Sequence, residues 1–279
     1  MLGDPATDRV EQPAPTLSVS DEQVAAFRRD GYLVIDKLTE PQEVERLRAI
    51  YDDLFRRRVG RDEGQQFDLG GTDGDDEEAV LPQILGPRKY APEIGRGLFL
   101  ANAQVLARRL LGDAADFSGD HAIFKPARTG AATPWHQDEA YWSPALAYHS
   151  LSLWMPLQEA SVANGCLWFV PGSHEQPIWP HRPIGGDDRV HGLELDDAEL
   201  DDERRTLLER AVPAPVPAGG CTVHLNRTLH YAGPNTSDVP RRAYIIGYGL
   251  PTRRLDGRPQ LHPWVARQTT ARLERAAGA

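Results

Sequence analysis

The chain has 279 residues, of which 40% are hydrophobic, with 31 Lys+Arg against 41 Asp+Glu for a formal charge of −10. That length suits one large domain or two small ones with a sizeable core, and the acidic balance argues against nucleic acid and anionic membranes, which select basic faces. No apolar run approaches the ~18 residues that span a bilayer, the first residues lack the pattern of a signal peptide, and the two cysteines are too few for a disulfide scaffold. A cytoplasmic protein with reduced thiols is expected.

Residues 1–19 read as a disordered arm, proline-rich and without periodicity. Ser20 and Gln23 have capping-box spacing for a helix that ends near Gly31, followed by a short β-prone run at 32–35. Thr39 and Gln42 repeat the cap spacing before Val44, Leu47, Tyr51, Leu54 and Phe55, which recur at helical intervals. The glycine-rich, acidic stretch 61–79 reads as a solvated loop, with a mobile lid as the alternative. A helix is expected over 92–111 with Leu98, Ala101, Val105 and Leu111 on its inner face.

From about residue 114 the pattern changes to short β-prone runs at 114–125, 148–157, 166–170, 212–217, 221–225 and 241–250. Turn residues punctuate them, as in an antiparallel sandwich or barrel, and a surface helix is expected at 196–210. Cys166 and Cys221 fall on expected core strands as buried, inert thiols. The plan is mainly β with flanking helices, an α+β arrangement: residues 20–250 form one domain, and 251–279 follow as a C-terminal extension.

The sharpest chemical signal is Thr133-Pro134-Trp135-His136-Gln137-Asp138. In an extended segment residues i and i+2 face the same way, so His136 and Asp138 can present an imidazole and a carboxylate to one point. A second histidine would complete a two-histidine, one-carboxylate face, which leaves adjacent coordination positions open for non-haem Fe(II) chemistry. Candidates are His121, His149, His174, His181, His191, His224, His230 and His262, and His230 is favoured by its context. It follows a β run, precedes a tight polar turn, and is trailed by Arg241 and Arg242, whose planar forks could grip a dicarboxylate.

Three segments, TPWHQDEAYW at 133–142, NGCLWFVPGSH at 164–174 and HYAGPNTSDVPRR at 230–242, resemble the phytanoyl-CoA dioxygenase family of Fe(II)- and 2-oxoglutarate-dependent oxygenases. The resemblance runs from about residue 20 to about 250. It implies a double-stranded β-helix (a cupin-like jelly roll, here from about 114 to 250) with N-terminal helices packed on it. It further implies that His136, Asp138 and His230 ligate Fe(II), and that Arg241 binds the distal carboxylate of 2-oxoglutarate while Arg242 points to the other side of its strand. By the same resemblance Gln137, Trp154 and His121 line the cosubstrate pocket, and Ala232 stands where a serine can touch the cosubstrate.

The implied reaction consumes O2 and 2-oxoglutarate, releases succinate and CO2, and hydroxylates, desaturates or cyclises a small molecule. The carboxylate of Asp138 disfavours halogenation, since related halogenating enzymes carry a small residue there. The acidic chain suggests a neutral or cationic substrate. Two other readings compete: a cupin-like metalloenzyme without 2-oxoglutarate, which would not need Arg241, and a non-catalytic jelly-roll binding module, which would take up no iron.

Overall fold

A capping box opens the first helix of the structure, a computed structural model that describes residues 12–74, 78–128 and 131–279. Ser20 Oγ accepts from the Gln23 N–H while the Gln23 side chain accepts from the Ser20 N–H. Helix α1 (Asp21–Asp30) stops at Gly31, whose φ of 79° is a left-handed conformation that glycine adopts without a Cβ clash. Strand β1 (Tyr32–Ile35) follows.

Helix α2 (Pro41–Arg56) begins one residue later than a Thr39 cap requires. Thr39 is buried and turns its hydroxyl to Glu43, and Pro41, whose fixed φ suits a first helical position, leaves Glu40 as the cap. The buried stripe Val44, Leu47, Tyr51 and Leu54 matches the spacing in the sequence.

Part of the acidic stretch is not a solvated loop. Strands β2 (Gln66–Asp68) and β3 (Pro82–Leu85) pair across it, and Phe67, Asp68, Leu69 and Asp73 are buried. Both oxygens of Asp68 accept backbone N–H groups, from Gly70, Val80 and Leu81, while Asp73 pairs with Arg61. These acids are spent on tying the chain back on itself. Asp75, Asp76 and Glu77 lie outside the described residues.

Helix α3 (Leu98–Leu111) starts after a separate 3-10 turn at Pro92–Gly95 rather than at 92, because Gly97, at φ 137°, interrupts it. Its buried face is also rotated from the expected one: Phe99, Asn102, Ala103, Leu106, Ala107 and Leu110 point inward. The segment is apolar on both sides, and Asn102 settles the phase. Its amide donates to the Leu38 carbonyl, and its oxygen accepts from the N–H groups of Thr16 and Leu17 at 2.7 and 2.9 Å. Those bonds lay residues 12–19 along α3, where the sequence suggests a free arm; residues 1–11 are outside the described range.

The remaining elements are β4 (Asp116–Lys125), β5 (Thr133–His136), β6 (Leu146–Ala147), β7 (Ser150–Pro156), β8 (Leu167–Phe169), β9 (His181–Pro183), β10 (Leu193–Leu195), α4 (Asp202–Leu208), β11 (Val212–Ala214), β12 (Cys221–Leu225), β13 (His230–Ala232), β14 (Arg241–Gly249), β15 (Arg253–Arg254), α5 (Pro263–Ala266) and α6 (Ala271–Gly278). A seven-stranded sheet has the order β1-β12-β7-β14-β4-β3-β2, and a four-stranded sheet the order β11-β8-β13-β5, with antiparallel pairing throughout. Period-2 alternation divides the large sheet's side chains between two layers. On β7 and β14, Leu151, Leu153, Met155, Tyr244 and Ile246 pack under the helices, while Trp154, Ala243 and Ile245 face Leu167, Phe169 and Ala232 of the small sheet. This is the jelly roll with a helical layer that the sequence suggests.

The segment after β14 is not a loose extension. Helices α5 and α6 return across the open end of the sandwich, where Trp264 Nε1 donates to the Ala140 carbonyl and Gln268 donates to the carbonyls of Val190 and His191. Arg275 on α6 pairs with Asp73.

Candidate active site

His136 ends β5, His230 begins β13, and the two are directly paired across the antiparallel ladder. Each ring turns its Nδ1 to a carbonyl two residues back, Pro134 at 2.7 Å and Thr228 at 2.9 Å. A carbonyl can only accept, so Nδ1 carries the hydrogen and Nε2 is left with a free lone pair. Asp138 opens the 3-10 turn Asp138–Tyr141, and its Oδ1 lies 3.7 Å from Nε2 of His136 and 3.5 Å from Nε2 of His230. The three ligand atoms all fall within 4.8 Å of one another, which makes the predicted trio a facial two-histidine, one-carboxylate donor set.

The other oxygen of Asp138 is fixed from behind. Oδ2 accepts from Ser152 Oγ at 3.1 Å and from Asn226 Nδ2 at 2.8 Å, and His224 Nε2 lies 3.5 Å away. Burial lowers the pKa of both His136 and His230, so both imidazoles are neutral donors. Burial alone would raise that of Asp138, but the surrounding imidazoles outweigh it and hold the carboxylate well below its usual range. Ser152 and Asn226 escape a sequence reading because no local motif marks them; Ser152 is placed by β pairing, on β7 opposite His224 of β12, and Asn226 by the turn that follows β12.

Arg241 begins β14 and is 1% exposed. Its Nε and Nη1 are buried and, among the described residues, have no hydrogen-bond partner. Burial brings its pKa down to about 10, which leaves it cationic at neutral pH. The Trp154 ring lies 5.2 Å from the guanidinium carbon. Arg242 faces the opposite layer as expected and forms an ion pair with Asp52 on α2. A buried guanidinium with orphaned donors fits a carboxylate ligand, and the nitrogen–nitrogen–oxygen set fits ferrous iron, so the residues present suit both groups that the resemblance implies.

One cavity of about 590 Å³ contains His136, Asp138, His230, Arg241, Trp154, His121 and Ala232 in its wall. His121, on β4 beside Ile245 of β14, is held neutral by burial, its pKa brought down to about 4. Gln137 is placed differently from its expected role. Its amide donates to the Arg227 carbonyl at 2.8 Å, its oxygen accepts from the Trp179 N–H at 2.8 Å, and it does not line the cavity. The alternation that points His136 and Asp138 inward sends the residue between them into the protein. Lys125, close to Arg241, is spent on the carbonyls of Ala131, Ala232 and Gly233. Gly165 of the second motif has φ 85°, and a Cβ there would meet the Gly233 carbonyl at 2.5 Å, so glycine lets the two motif turns touch.

The C-terminal segment supplies cavity wall that the sequence reading missed: Leu261, Val265, Gln268, Arg272 and Leu273. Its short amphipathic helices carry no motif, and only the tertiary fold brings them to the mouth.

The family profile described as phytanoyl-CoA dioxygenase (PhyH) matches residues 27–243. The chain is 28% identical over 233 residues to the Stutzerimonas stutzeri "Probable alpha-ketoglutarate-dependent hypophosphite dioxygenase", covering 81% of this chain and 77% of that one. It is 30% identical over 263 residues to "Phytanoyl-CoA dioxygenase domain-containing protein 1" of Mus musculus, covering 82% and 89%. Among solved structures it resembles EvdO2 from Micromonospora carbonacea var. aurantiaca in complex with 2-oxoglutarate, with TM-score 0.72 and 35% identity over 91% of this chain and 99% of that one. The chain belongs to the phytanoyl-CoA dioxygenase family.

Proposed function

We propose that the protein is an Fe(II)- and 2-oxoglutarate-dependent dioxygenase that hydroxylates, desaturates or cyclises an unactivated carbon of a small organic molecule. The observation that carries this reading is the meeting of His136, Asp138 and His230 in the same cavity as the buried, unpartnered Arg241. Neither a cupin-like enzyme without 2-oxoglutarate nor a binding module needs that combination. Relatives whose names specify a 2-oxoglutarate-dependent dioxygenase support it. Two free, buried thiols agree with a cytoplasmic setting, and among the described residues no helix is long and apolar enough to cross a membrane.

Bound Fe(II), with 2-oxoglutarate and O2, supplies the oxidising power for C–H cleavage, with succinate and CO2 as coproducts. The chain's own residues do the rest. His136 Nε2, His230 Nε2 and Asp138 Oδ1 would hold the metal, while Ser152 and Asn226 keep Asp138 Oδ2 turned away. Arg241 would anchor the distal carboxylate of 2-oxoglutarate with charge-assisted hydrogen bonds, strengthened by its dry surroundings. Trp154, beside Arg241, and Leu167, Ala232 and Ile245 of the same apolar cluster give the cavity an apolar wall that would disfavour water there. Asp138 supplies a carboxylate ligand where, by the resemblance, halogenating relatives carry a small residue, which supports hydroxylation over halogenation.

The test is anaerobic titration of Fe(II)-loaded protein with 2-oxoglutarate, followed by succinate measurement after oxygen is admitted. Stoichiometric iron uptake and 2-oxoglutarate-dependent succinate are the expected result; their absence would return the protein to the competing classes.

A further inference from the structure

The outer part of the cavity holds a second guanidinium. Arg272, on α6, lines the same space as the iron ligands but from the opposite, C-terminal side. Its guanidinium carbon lies 4.9 Å from the Phe67 ring centroid on β2, which makes a firm apolar platform under the charge. Its Nε is buried and without a hydrogen-bond partner among the described residues. Beside it His191, edge-on to Phe67 at 4.8 Å, also lines the cavity with a buried, unpartnered Nδ1.

The carboxylates around this region are already engaged. Asp73 takes Arg61 and Arg275, Asp68 takes three backbone N–H groups, and Asp120 takes the Tyr244 hydroxyl and Arg88. The same Arg275–Asp73 pair fastens α6 one turn beyond Arg272, so the helix that carries this guanidinium is itself held down. A guanidinium placed against an aromatic face at a cavity wall, with no carboxylate of the described chain committed to it, is arranged for an oxyanion that arrives with a ligand.

We infer that Arg272, with His191 beside it, binds an oxyanion group, a carboxylate or phosphate, on the substrate, at the end remote from the carbon that reacts. This deepens the proposed dioxygenase reading and rests on it, since Arg241 is then taken by 2-oxoglutarate and Arg272 is left for substrate. It departs from the neutral or cationic preference drawn from the chain's charge, because that charge averages the whole surface while the cavity presents this guanidinium. The apolar side chains of Leu261, Val265 and Leu273 on the same segment would cover the carbon skeleton between the two ends.

The probes are octanoate, octyl phosphate, octanamide and octylamine, titrated calorimetrically into anaerobic Fe(II) protein saturated with 2-oxoglutarate. One or both anions should bind at least about tenfold more tightly than the amide, and the amine most weakly. Which anion wins distinguishes carboxylate from phosphate. Arg272→Gln should remove the difference, Arg272→Lys should restore part of it, and neither should change 2-oxoglutarate affinity. Equal binding of amide and anions, binding of none of the four, or an anion preference that survives Arg272→Gln would overturn the inference. Failure of 2-oxoglutarate itself to bind would instead overturn the dioxygenase reading.

Discussion

Asn226 Nδ2 donates to Asp138 Oδ2 at 2.8 Å, and the same amide reaches Ser152 Oγ at 2.6 Å, so the metal-facing carboxylate is clamped by two residues that no motif marks, one on β7 and one just past the end of β12. With Oδ2 so engaged, Oδ1 is the oxygen presented to the two imidazoles. Loss of such an outer partner typically costs 10–100-fold in metal affinity. Asn226→Ala should therefore weaken Fe(II) binding by about tenfold or more while the fold persists, measured by competition with a metal indicator and by circular dichroism. Unchanged affinity would mean that Ser152 alone suffices.

Removing the ligand itself should act more sharply. Asp138→Ala should abolish nearly all succinate formation and stoichiometric iron uptake, without loss of secondary structure. Wild-type-like turnover in that variant would falsify the ligand assignment.

Adjacent arginines on β14 should give opposite phenotypes. Arg241→Gln removes the cation from the cavity and should raise the 2-oxoglutarate concentration needed for half-maximal turnover by about 10–100-fold, the loss expected for charge-assisted hydrogen bonds. Arg242→Ala breaks a partly exposed ion pair with Asp52 and should cost only about 0.5–1 kcal/mol of stability, leaving the 2-oxoglutarate requirement unchanged. Exchanged phenotypes would place the strand in the wrong phase.

Acid should destabilise the protein through histidines buried as neutral rings. Burial brings His181 and His191 from 6.5 down to about 3 each. Between those values the unfolded chain binds protons that the folded chain refuses, so stability falls as pH drops below about 6.5 and these groups add no slope above it. The limiting slope is about 1.4 kcal/mol per pH unit for each ring. His181 donates to the Trp179 carbonyl and accepts from the Gln137 N–H at 3.2 Å, so protonation would also turn two donors against each other. Denaturant unfolding of chelator-treated protein at pH 7, 6 and 5 should show the fall, and His181→Gln should make it shallower. A pH-independent wild type would contradict the assignment.

The sequence carries the site's inner half legibly and its outer half hardly at all. His136, Asp138 and His230 stand in compact motifs, and the opposed facing of Arg241 and Arg242 follows from strand periodicity alone. Trp154 and His121 line the cavity, whereas Gln137 faces away from it into the protein, because a residue between two cavity-facing ligands must point the other way. The phase of α3 could not be read from hydrophobicity, since both faces are apolar and a single buried amide, Asn102, decides between them. In the acidic stretch, Asp68 and Asp73 look like solvent-facing charge until their partners, the backbone N–H groups and the distant Arg275, are known.

Arg272 and the apolar Leu261, Val265 and Leu273 come from chain beyond residue 243, where the match to the family profile stops, whereas the iron ligands, Arg241 and His191 lie inside it. On the reading proposed above, most of the wall that selects a substrate follows the stretch that carries the oxidative chemistry, and the two join near the start of β14. Exchanging the tail at that junction would redirect the enzyme toward new molecules while its catalytic apparatus is inherited intact.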